Sequence, residues 1–93
     1  MAIKKMIYNS IKGEINLARL TRLYPAALIS MHGEIAEMSL EWIELYGDKV
    51  EILSFILVFD FTLAGEDVKD RTVLEFKTQQ ELQHAMKEVA QFY

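Results

Sequence analysis

The sequence contains no cysteine, one proline, one tryptophan, two histidines and four glycines. Without cysteine there is no disulfide framework, no thiolate metal site and no thiol nucleophile, and the composition fits a reducing compartment, so a cytoplasmic protein is expected. The longest apolar run, Phe55 to Phe59, is far too short to span a bilayer, and no apolar stretch follows Lys4 and Lys5 as in a secretory leader; no membrane association is expected. There is no internal repeat, low-complexity tract, Ser/Gly linker or glycine-rich phosphate loop. Residues 1–93 therefore read as one domain.

What the chain does have is apolar material and segregated charge. A 52% hydrophobic content with five Phe, four Tyr and five Met can fill a core without covalent staples. Up to Pro25, Lys4, Lys5, Lys12, Arg19 and Arg22 face only Glu14, a balance of +4. From Ala26 to Val68 nine carboxylates face only Lys49, a balance of -8, and the rest of the chain is neutral. The overall charge of -4 argues against indiscriminate binding to nucleic acid, which needs a positive field.

The few glycines and the proline punctuate the chain. Leu17, Leu20 and Tyr24 fall on one helical face after Asn16, a good N-cap, and proline disfavours helical geometry in the residue before it; the pattern predicts a short helix ending at Tyr24. Ahead of it, Ile3 to Asn9 reads equally as a strand or, with Ile3, Met6, Ile7 and Ile11, as a helical stripe stopping at Gly13. From Ala26 onward three strands are expected, joined by turns at His32-Gly33 and Gly47-Asp48. Two-residue turns fix the register: Ile29 beside Ala36 and Ala27 beside Met38, then Trp42 beside Leu53, Leu40 beside Phe55, Met38 beside Leu57 and Ala36 beside Phe59, all on one apolar face. A rival reading makes residues 34–46 a helix, because Glu34, Glu37, Glu41 and Glu44 recur at helical spacing before Gly47.

Thr62 to Asp70 is polar and loop-like, Arg71 to Lys77 alternates as a further strand, and Thr78-Gln-Gln-Glu81 is a capping box ahead of the stripe Leu82, Ala85, Met86, Val89 and Phe92. The expected fold is α+β: an antiparallel sheet of four or five strands, a meander with a long hairpin at Gly47-Asp48, packed by a C-terminal amphipathic helix and a short helix in the N-terminal half.

Chemistry is sparse. His32 falls in a turn and His84 on a helix's polar flank, neither with a nucleophile or ligand-spaced partner, so no enzyme activity, cofactor or metal is expected. Trp42, Phe55 and Phe59 read as core rather than as a ligand pocket. In the hairpin register Ile43, Leu45, Val50, Ile52, Ile56 and Val58 lie on the outer face, with Glu37 and Glu41 at its rim beside Ser39, Ser54 and Asp60. An apolar patch rimmed by carboxylates marks an interface, most simply a homodimer. The expected function is a small, non-enzymatic interaction domain that self-associates through this face. Two alternatives compete with it. One is an acidic inhibitor or immunity-type protein placing Glu37, Glu41, Glu44 and Glu51 in a basic site of another macromolecule. The other is weak nucleic-acid binding through Lys12, Arg19 and Arg22.

Overall fold

The computed structural model describes residues 7–62, 65 and 70–91. Its α+β architecture consists of a two-stranded antiparallel sheet, a four-stranded antiparallel sheet, a C-terminal helix and a shorter helix. Of the ambiguous N-terminal stretch, Ile3 to Met6 lies outside the described residues and Ile7–Ser10 is a strand, β1, paired with β2 (Gly13–Asn16). Gly13, at φ +109°, closes this hairpin instead of ending a helix, and Ser10 Oγ donates to its carbonyl at 2.7 Å.

Asn16 does cap, its side chain accepting from Ala18 N, but the element is one 3-10 turn, Leu17–Arg19, and not a helix reaching Tyr24. The chain then enters β3 (Arg22–Met31) and runs through Pro25 without a break. Two facts permit this. Pro25 faces Leu57 of β5 (Glu51–Asp60), while pairing with β4 (Glu34–Met38) begins only at Ala27, so β3 has a single neighbour where its N–H is missing. A ladder between two ten-residue strands also outweighs a two-turn helix, which is marginal without tertiary support. Leu17 and Leu20 pack into one core cluster and Tyr24 into the other, so the apparent helical stripe is split between the two faces of the sheet.

The turn at His32-Gly33 forms as expected. Both residues have positive φ, +53° and +82°, the signature of a type I′ hairpin, and Ile29 pairs with Ala36 and Ala27 with Met38. The second hairpin does not form. After Met38 the chain turns at Ser39, whose hydroxyl accepts from Trp42 N, into helix α1 (Leu40–Tyr46), followed by a 3-10 turn at Gly47–Lys49. None of the cross-strand pairs expected across Gly47-Asp48 exists; β5 pairs with β3 instead. Sheet order is β4-β3-β5-β6, with β6 (Arg71–Phe76) antiparallel to β5 as expected.

The capping box starts helix α2 (Gln79–Ala90): Thr78 Oγ1 accepts from Glu81 N at 3.1 Å and donates to Glu81 Oε1 at 3.2 Å. Phe92 lies outside the described residues. Leu82, Ala85 and Val89 pack on Leu57, Phe59 and Leu74 of the sheet, and Tyr8 and Ile15 of the small hairpin with Leu17 of the 3-10 turn complete this core. The Tyr8 and Phe59 rings stack 6.2 Å apart. A smaller cluster, Ala26, Ile56 and Val58, occupies the other face between Tyr24, Leu28 and Val73.

Candidate interaction surface

Helix α1 is the element least accounted for by the core. Leu40 packs at the edge of the main cluster and Ile43 is half-buried, but none of its seven residues is buried. Trp42 is 54% exposed and Leu45 70%, in a chain where covering either would be favourable. The expectation that Trp42 belongs to the core is therefore wrong. Phe59 is core and Phe55 lies partly buried against it, while Trp42 stacks on Tyr46 of its own helix, ring centres 5.1 Å apart. Lys49 Nζ lies 5.9 Å from the Tyr46 ring.

The start of β5 joins α1 at this end. Gly47 sits against both elements, since a Cβ there would lie 3.3 Å from Ile43 Cγ2 and 3.7 Å from Ile52 Cδ1. Leu53 is 44% exposed. A bulge explains its position: along β3 the partner steps from Ser54 to Ile52 between Leu28 and Ile29, leaving Leu53 as the extra residue. The bulge also breaks strict alternation, so Ile52 faces the side of Ile29 and α1.

The six apolar residues expected on one outer face thus divide. Ile43, Leu45, Val50 and Ile52 gather at the α1 end of the sheet. Ile56 and Val58 are fully buried on the opposite face and are not part of any exposed patch. The carboxylates divide as well. Glu41 lies in the first turn of α1, with Glu44, Asp48 and Glu51 following along the chain, all exposed. Glu37 belongs elsewhere: on β4, its Oε2 accepts from Tyr24 Oη at 3.4 Å and lies 3.9 Å from Arg71 Nη2. Arg71 also donates to Tyr24 Oη. The signal that would have located α1 in the sequence is Ser39, a strong N-cap, followed by Glu41 in the first turn and by Leu40 and Ile43 at helical spacing.

The basic residues collect at the other end, where β3 begins and β5 finishes. Lys12 and Arg19 line one shallow groove, but Glu14 and Asp70 line it too. Lys12 Nζ donates to Val73 O at 2.8 Å, and Arg22 lies over the Tyr24 ring at 4.4 Å. The three cations do not converge on one point.

A second groove, between β1 and α2, holds Tyr8, Glu88 and His84 in a row. Tyr8 Oη donates to Glu88 Oε2 at 3.3 Å, and His84 Nε2 lies 2.8 Å from Glu88 Oε1. Burial, then the Glu88 charge and hydrogen bond, raise the Tyr8 phenol above the ordinary range. His84 is mostly exposed, and the described groove lining contains no serine, threonine or cysteine to act as a nucleophile. Among the described residues no group of three His, Cys, Asp or Glu side chains could hold a metal ion, and no helix is long and apolar enough to cross a membrane. Comparisons with protein-family models, curated proteins and solved structures gave no significant match.

Proposed function

We propose that this chain is a small, non-enzymatic protein-interaction domain that self-associates through the apolar end formed by α1 and the start of β5. The observation that carries the reading is a helix with no buried residue that exposes Trp42 and Leu45, together with exposed Leu53 near the start of β5. Large apolar side chains gathered in this way, with charged residues around them, mark association surfaces more often than scattered exposed ones do.

The rim makes the reading testable. Glu41, Glu44, Asp48 and Glu51 would approach the same residues of a second copy across an isologous contact. Their repulsion is screened by salt, so self-association should tighten as ionic strength rises. Sedimentation of the full chain over a range of concentrations, at low and high salt, tests this; a protein that stays monomeric at the highest concentration in both would overturn it.

The same rim favours one further reading, an acidic protein that docks into a basic site on another macromolecule. Its salt dependence is opposite, because attraction between unlike charges weakens on screening.

A further inference from the structure

We infer that two copies join through the outer edge of β4, antiparallel and with Ala36 on the two-fold axis, making one continuous eight-stranded sheet. The inference rests on the reading that the chain self-associates, and places the pairing at the β4 edge instead of the α1 end. β4 ends the main sheet at one side, and among the described residues nothing pairs with its outer edge. The opposite edge is different, because Lys12 Nζ is bonded to the carbonyl of Val73 on β6. Residues 34–37 are all exposed, Ile35 at 69%. An uncovered edge strand carrying a bare isoleucine is the part of a sheet that invites another strand.

The register follows from the turn. In a two-residue hairpin the residues flanking the turn, Met31 and Glu34, exchange hydrogen bonds, and the pattern alternates along the ladder. Glu34, Ala36 and Met38 therefore spend their backbone groups on β3, leaving the N–H and C=O of Ile35 and Glu37 directed outward.

A two-fold pairing of this edge must set outward groups against outward groups, so its axis passes through Ile35, Ala36 or Glu37. Centring on Glu37 places two carboxylates directly opposite one another, and centring on Ile35 leaves Glu37 without a β4 partner. Centring on Ala36 pairs Ile35 of each copy with Glu37 of the other and satisfies all four outward groups per copy. It opposes Glu34 to Met38, so no like charges face each other directly. The two Ala36 residues then form a non-hydrogen-bonded pair, the closely spaced kind, where a small side chain fits. Glu37 of each copy lies diagonal to its mate, with Arg71 3.9 Å from its carboxylate to offset the repulsion. Both copies of α1 come to lie on the same face of the joined sheet, one on either side of the axis.

The absence of cysteine gives a direct test. In Ala36→Cys the two introduced thiols face each other across the axis, within the Cβ separation a disulfide can bridge after slight adjustment. Under mild oxidation the full-length variant should link into a covalent dimer on the order of tenfold faster than Glu34→Cys or Met38→Cys, whose thiols are offset from their mates. Ile35→Pro removes an outward donor while leaving the β3 bonds in place, and should shift the protein to monomer with its circular dichroism unchanged. A wild-type dimer that persists in Ile35→Pro, with no preferential linking of Ala36→Cys, overturns the edge pairing and leaves the α1 contact standing. A wild-type chain that never dimerises overturns both.

Discussion

Leu45→Ala separates an interface role from a folding role by magnitude. The substitution removes three carbons, each worth about 0.8 kcal/mol when fully buried, or about 2.4 kcal/mol in total. In a single copy Leu45 is 70% exposed, so about 0.7 kcal/mol of that belongs to the fold and about 1.7 kcal/mol is available to association. An isologous contact uses the residue twice, which makes the loss about 3.4 kcal/mol, or roughly 300-fold in the dimer dissociation constant, if the side chain becomes completely covered. Half coverage gives roughly 15-fold. Sedimentation equilibrium would read the dissociation constant, and urea unfolding of the monomer would read the small stability term. A dissociation constant that moves by less than about threefold, with the fold intact, refutes the placement of Leu45 in the contact.

Three further predictions concern the scaffold that presents this surface. Thr78→Ala should cost about 1 kcal/mol in urea unfolding by leaving the Glu81 N–H without its cap, whereas Thr78→Ser should restore most of it. Leu57→Ala, in the middle of the central strand and fully buried under α2, should cost about 2–5 kcal/mol, read as a lowered midpoint with the denaturant slope unchanged. The raised Tyr8 phenol predicts a pH dependence. Folding favours its protonated form, so its contribution is complete below the ordinary phenol pKa of about 10 and is lost as pH rises through the higher folded value. Thermal unfolding from about pH 10 upward should show wild type losing stability more steeply than Tyr8→Phe; parallel profiles would refute a phenol raised by folding.

Elements whose evidence is local were legible in the sequence. The capping box at Thr78 and the stripe behind it locate α2 because both signals lie within one helix, and His32-Gly33 sets the β3–β4 register because a two-residue turn leaves no freedom. Side-chain sidedness in β5 was also readable. Phe55, Leu57 and Phe59 share a face whichever strand lies opposite, since alternation belongs to the strand itself. Choice of partner was not readable. Residues 34–46 carry a strand pattern at one end and a helix pattern at the other, and the boundary at Ser39 is decided by which long strand β5 can pair with, a non-local matter. Tyr24 misled for the same reason: its spacing from Leu17 and Leu20 is helical, but the ladder with β5 sends it to the opposite face.

The candidate surface shows how a wrong element can still leave part of a site correctly placed. Ile43, Leu45, Val50 and Ile52 flank Gly47, and chain proximity keeps them together whether the segment turns back as a strand or coils into α1. Ile56 and Val58 share that face only while strict alternation holds along β5, and the extra residue at Leu53 breaks it, a feature that period-2 reasoning cannot detect. Charge behaves like the first group. The acidic residues Glu34, Glu41, Glu44, Asp48 and Glu51 follow the chain to the α1 end, while Lys12, Arg19 and Arg22 remain where β3 begins, so segregation along the sequence becomes segregation along the sheet. That polarity bears on the mode of association. Contact between the acidic end of one copy and the basic end of the next is heterologous and would propagate, whereas pairing about Ala36 closes after two copies. A self-associating domain of this charge pattern therefore has a reason to place its contact at the β4 edge, where Glu37 already has Arg71 beside it.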